Sequence, residues 1–192
     1  MLTSKSSRHI GLLALATAMA ATRFGACSGA LVPPDASWAV FFIAGFYYAK
    51  EWRWALPALL IEAILIDLAA IHYYGLSDYC LTPAYAFIVP AYSMLWCGGA
   101  WLKRGYQGAV GDLRRLALSL LVAVSACYAL TEGSFYWLGS RIAPVSFAGW
   151  GANFLTWYGY FMLVTAGYVA LTALGHVALT RRVSAPAHPE AP

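Results

Sequence analysis

The sequence predicts an all-α integral membrane protein, a six-transmembrane-helix bundle with both termini in the cytoplasm. Three observations lead there. Hydrophobic residues make up 61% of the 192 and charged residues 10%, against roughly 45–50% and about 25% in soluble domains, so polar surface is too scarce to clothe a water-soluble particle. The apolar residues gather in runs close to the roughly 20 residues that a helix needs to cross a bilayer. The basic residues fall almost wholly on one side of the alternating topology that those runs generate. The same composition excludes disordered, collagen-like and disulfide-scaffold classes. One membrane domain over 10–182 holds all the spans, with 1–9 as a cytoplasmic tail and the Pro- and Ala-rich 183–192 as a disordered cytoplasmic tail.

The first run, 10–27, follows Lys5 and Arg8, and its small-residue pairs Ala14/Ala18 and Ala16/Ala20 suit close packing, inside the bundle or against a partner. A secretory signal cleaved after Ala18-Met19-Ala20 is the rival reading of this run. The second run, 35–50, begins after Pro33-Pro34 and is short; the third, 54–74, follows Lys50-Glu51-Trp52-Arg53. The fourth, 83–102, opens at Thr82-Pro83, a good N-cap ahead of a good first helical residue. The fifth, 116–138, follows the basic stretch from Lys103 to Arg115, and the sixth, 149–179, is long. A short second span and a long sixth predict a recess on the outer side. Each run is apolar around most of its circumference with no period-2 alternation, which favours helices over a barrel.

Lys5, Arg8, Lys50, Arg53, Lys103, Arg104, Arg114, Arg115, Arg181 and Arg182 share one side of this scheme, and Arg23 and Arg141 the other. The positive-inside rule makes the first side cytoplasmic. The net charge of +4 therefore reports topology, and nucleic acid is not needed as a partner.

Nucleotide hydrolysis is excluded by the familiar route, since Lys5, Lys50 and Lys103 all lack the glycine pattern of a P-loop. HExxH, GxSxG and CxxC are absent, and His9, His72, His176 and His188 are scattered, which disfavours a zinc site. Cys97 and Cys127 lie inside spans, where a thiol serves as a small hydrophobe. Cys27 and Cys80 face outward, as a disulfide, as inert thiols or, for Cys80, as something more. In Tyr79-Cys80-Leu81-Thr82-Pro83 the thiol stands just ahead of a helix start, which favours a thiolate, with Asp78 opposing. Such a thiolate is a soft ligand for a transition metal or the metal of a tetrapyrrole. Among the intramembrane acids, Glu62 and Asp67 stand about 140° apart on one helix and form no carboxylate pair; Asp67 can reach an outward pocket, and either acid, like Glu132, can equally be structural. Tyr85, Tyr73, Tyr74, Tyr79, Trp150, Asn153, Trp157 and Tyr158 lie near the outer level, as an interfacial belt or as a grip on a large flat ligand.

A chain of this length, with a small-residue first helix and an outward Tyr-Cys-Leu-Thr-Pro segment, resembles the BtuM family of vitamin B12 (cobalamin) transporters, related to the S-components of energy-coupling-factor (ECF) transporters. The resemblance covers roughly 9–180. It implies a carrier in the bacterial inner membrane whose cobalamin or cobinamide site faces the periplasm, with Cys80 as the cobalt ligand and Asp67 and Tyr85 as polar neighbours of the metal. It implies that Ala14 and Ala18 dock on the transmembrane subunit of an ATP-driven module, and that thiolate replacement of cyanide decyanates cyanocobalamin. Two other readings stay open: a membrane thiol-redox or haem-binding protein using Cys27 with Cys80 or His72 with Cys80, and an S-component for another vitamin.

Overall fold

A computed structural model of the chain describes residues 5–28, 33–74, 82–108, 111–139 and 145–184. These residues are all-helical: α1 (Lys5–Ser28), α2 (Ser37–Tyr47), α3 (Trp52–Tyr74), α4 (Ile88–Arg104), α5 (Gly111–Leu138) and α6 (Phe147–Ser184), with 3-10 turns at Ala49–Glu51 and Pro83–Phe87. No strand occurs among them.

Side-chain bonds fix the direction of each helix. Arg8 pairs with Glu51 at 2.6 Å and accepts the Tyr48 hydroxyl on its carbonyl, while Arg23 meets Ser37, Asp67 and Tyr92 at the other end. α1 and α3 therefore run parallel, and α2 and α4 run back. Ser119 on α5 donates to the Gly98 carbonyl of α4, and Ser134 lies against Ala84, so α5 rises toward the Arg23 end. His176 near the end of α6 bonds Tyr47, which brings α6 back to the Arg8 end. The result is an up-and-down succession in which α2 packs most extensively on α4 and α4 on α5.

α2 is the centre of the core: Ser37 to Phe46 are all buried. It touches α4 backbone to backbone, because a Cβ on Gly45 would collide with the Trp96 carbonyl and one on Gly99 with the Phe42 carbonyl. Gly99→Ala is expected to lower stability by about 1–3 kcal/mol, whereas Gly133→Ala, which points into open space, should change it little. Thermal melting of the two variants in the same detergent checks this. Equal melting temperatures would mean that the crossing is looser than the glycines imply.

Among the described residues three helical stretches are long and apolar enough to cross a membrane: 49–73, 111–138 and 147–180. The second predicted span is shorter than its apolar run. α2 has 11 residues, or about 17 Å at 1.5 Å per residue, against a hydrocarbon core of about 30 Å. The fourth also departs from expectation. Thr82 makes no side-chain cap, and the chain forms a 3-10 turn over 83–87 before α4 begins at Ile88. Pro90 supplies the reason for the delay, since it has no N–H to offer the Ala86 carbonyl four residues back. α5 and α6 both begin before their apolar runs, and α6 continues to Ser184, two residues into the predicted tail.

Candidate functional site

Arg23 organises the end of the bundle at which α1 and α3 finish. Its Nε donates to Asp67 Oδ1 at 2.6 Å and its Nη2 to Asp67 Oδ2 at 2.5 Å, a bidentate fork across two helices. Its Nη1 reaches Tyr92 Oη at 2.9 Å, Ser37 Oγ at 3.0 Å and Asp35 Oδ2 at 3.3 Å. Tyr85 donates its hydroxyl to Asp67 Oδ2 at 2.7 Å. Four side chains, from the 33–36 segment, α2, α3 and α4, thus bond one guanidinium of α1, and Tyr85 of the 83–87 turn joins them through Asp67.

The local sequence prepares each position. Asp35 follows Pro33-Pro34 and receives the Ser37 N–H at 2.9 Å and the Ser37 hydroxyl at 2.5 Å, which starts α2 beneath Arg23. Thr22 accepts the Ala36 N–H at 3.0 Å and so ties this start to α1. Tyr85 sits within the turn closed by its own N–H on the Thr82 carbonyl at 2.9 Å. The Thr82 hydroxyl, expected to cap a helix, is instead buried without a hydrogen-bond partner. The side chains of Arg23 and Asp67 are 11% and 19% exposed and that of Asp35 34%, so the cluster is closed at its base and opens toward Asp35.

A second polar pair lies between α5 and α6, where Asn153 donates its amide to Glu132. Trp150, Phe154 and Tyr158 recur at helical spacing beside it. Phe154 stacks on Tyr158 at 5.6 Å and meets Tyr128 at 4.7 Å, and Tyr158 shares a 2.7 Å hydrogen bond with Ser125. Trp150 Nε1 is buried with no partner.

The predicted site residues fall into five groups. Asp67 and Tyr85 are brought into direct contact. Trp150, Asn153 and Tyr158 share a half-buried face of α6 turned to α5. Tyr73 and Trp157, read from the sequence as part of a belt or of a ligand grip, stand 78% and 54% exposed. Their helical phase decides this: Trp157 is one residue, about 100°, from Tyr158. Cys80, Tyr79 and the side chains of Tyr74 and Cys27 lie outside the described residues. Ala14 and Ala18 are exposed. Glu62 is half-buried and His72 exposed beside Tyr73 at 5.1 Å.

Sequence reasoning passed over Arg23, Asp35, Ser37 and Tyr92. The available signal was Arg23 itself, a cation inside an apolar run on the side where basic residues are scarce. A charge so placed needs an acid on a neighbouring helix. What the arrangement offers chemically is an oriented carboxylate whose two oxygens are engaged, and a tyrosine whose proton is committed and whose oxygen can still accept. No family model matches the chain, and no curated protein matches it.

Proposed function

We propose that the protein binds a cobalamin-class corrinoid at the Arg23 end of the bundle and carries it across a bacterial inner membrane. In this reading all six helices belong to the membrane domain, the basic Arg8 end is cytoplasmic and the Arg23 end faces the periplasm, as the positive-inside rule favours. The observation that carries it is the 2.7 Å bond between Tyr85 and Asp67. These are the two residues that the family resemblance matched to the neighbours of the metal, and Cys80 lies in the chain between them. Two residues of chain, at most about 7 Å, separate Cys80 from Thr82, whose carbonyl closes the turn bearing Tyr85.

A corrin brings its cobalt with four equatorial nitrogens already bound, so the protein needs to supply a single axial donor, and a thiolate suits that role. The family resemblance assigns that single donor to Cys80.

Protein purified from cells supplied with cyanocobalamin tests the reading through its absorption spectrum and mass spectrometry of the bound ligand. A corrinoid at near-stoichiometric yield supports it. A haem spectrum, another vitamin or an empty protein would replace it with one of the alternatives.

Transport against a gradient needs an energy source, and the chain lacks a P-loop. We assign that task to an ECF-type ATPase and transmembrane module docking on the exposed Ala14 and Ala18 of α1. Ala18→Leu is expected to reduce uptake into cells at least several-fold while corrinoid binding by the purified protein stays unchanged. Parallel loss of both would make the face a packing surface of the bundle.

A further inference from the structure

We propose that Arg23 is a positioning residue for the ligand site: it fixes the carboxylate plane of Asp67 and, through it, holds Tyr85 as a hydrogen-bond acceptor toward the ligand. This rests on the corrinoid reading above. The fork from Nε and Nη2 at 2.6 and 2.5 Å engages both oxygens of the Asp67 carboxylate and so orients its plane. The fork itself is held from behind by Ser37, Tyr92 and Asp35.

Asp67 Oδ2 also takes the Tyr85 proton at 2.7 Å. Tyr85 has one hydroxyl proton, so what remains to it is accepting capacity. The periphery of a cobalamin carries primary amides, whose N–H groups are donors of matching kind. Arg23 never needs to touch the ligand to govern this, because Asp67 stands between it and Tyr85. A lysine would keep the positive charge but not the planar fork, so it separates charge from positioning.

Three proteins test the inference: Arg23→Lys, Tyr85→Phe and the double variant. Without ligand, thermal melting gives a double-mutant cycle between two side chains that share Asp67 as a bonding partner. If Arg23 acts on Tyr85 through Asp67, the double variant melts within about 1 °C of the lower single variant; additive losses would overturn the proposal. With saturating cyanocobalamin, Arg23→Lys should retain the corrinoid yet lose cyanide about 10- to 100-fold more slowly, the scale expected of a misplaced group. A rate equal to that of the unmodified protein would also overturn it. If the unmodified protein holds no corrinoid, the functional reading fails first. If it does and Arg23→Lys behaves identically, only the role of Arg23 fails.

Discussion

A Cys80→Ser protein loaded with cyanocobalamin is expected to keep the absorption spectrum of the free cofactor and to lose cyanide at least 100-fold more slowly than the unmodified protein. The exchange is balanced without a redox partner. In the proposed exchange the cobalt–carbon bond to cyanide would break as a cobalt–sulfur bond forms, with cobalt trivalent throughout and the thiol proton leaving with cyanide as HCN. Serine preserves the size of the side chain but presents a hydroxyl that stays protonated and binds soft metals poorly. Binding itself should persist, because the contact area of a corrin lies on its ring and amide edges rather than on one axial bond. Time-resolved absorption on matched samples, with cyanide trapped and quantified, reads both effects. An unchanged spectrum and rate in Cys80→Ser would make the thiol a bystander, whatever the protein carries.

The all-helical class and three membrane-length helices were legible because a bilayer imposes length and composition on a helix that crosses it. Apolar runs and their Pro, Gly and charge breaks foreshadowed six helices, and the brevity of the second run foreshadowed α2. What the runs could not show is that α2 would be enclosed. Ser37, Phe41, Phe42 and Gly45 read as one more apolar span, and only the glycine contacts with α4 reveal a helix buried on every side. The 83–87 turn was missed for a related reason: Thr82-Pro83 is a sound local start signal, and Pro90 overrides it seven residues later.

The candidate site was legible in pieces. Asp67 and Tyr85 stood out as an intramembrane acid and a tyrosine near a helix start, and their bond needed the tertiary fold to bring α3 to the 83–87 turn. Arg23 was counted as one of two exceptions to a charge rule, so its chemistry went unasked. Yet a guanidinium in an apolar helix predicts a carboxylate at its own level. The two ion pairs supply that level, since Arg8 with Glu51 and Arg23 with Asp67 set nearly the same register between α1 and α3. Tyr73 and Trp157 stand exposed, because proximity along the chain says nothing about which face of a helix a side chain takes.

The same cluster predicts an unequal response to removing its charges. Arg23→Ala is expected to destabilise the ligand-free protein by about 3–5 kcal/mol, the range for breaking a buried ion pair from one side. It strands two carboxylates, Asp67 at 19% and Asp35 at 34% exposure, with no cation between them. Asp67→Asn should cost less, about 1–3 kcal/mol, because Arg23 keeps Asp35 at 3.3 Å, Ser37 and Tyr92, and an amide oxygen can still accept from the guanidinium. The charge left behind, rather than the number of bonds lost, sets the order. Replacing both partners, Arg23→Met with Asp67→Leu, removes one charge of each sign and leaves only the more exposed Asp35 to be hydrated, so the double variant should melt above Arg23→Ala alone. Thermal melting or denaturant titration of the three proteins under identical detergent conditions decides it. If Asp67→Asn is as damaging as Arg23→Ala, the bidentate bond itself dominates; if the double variant melts below Arg23→Ala, charge imbalance is not what destabilises this end of the bundle.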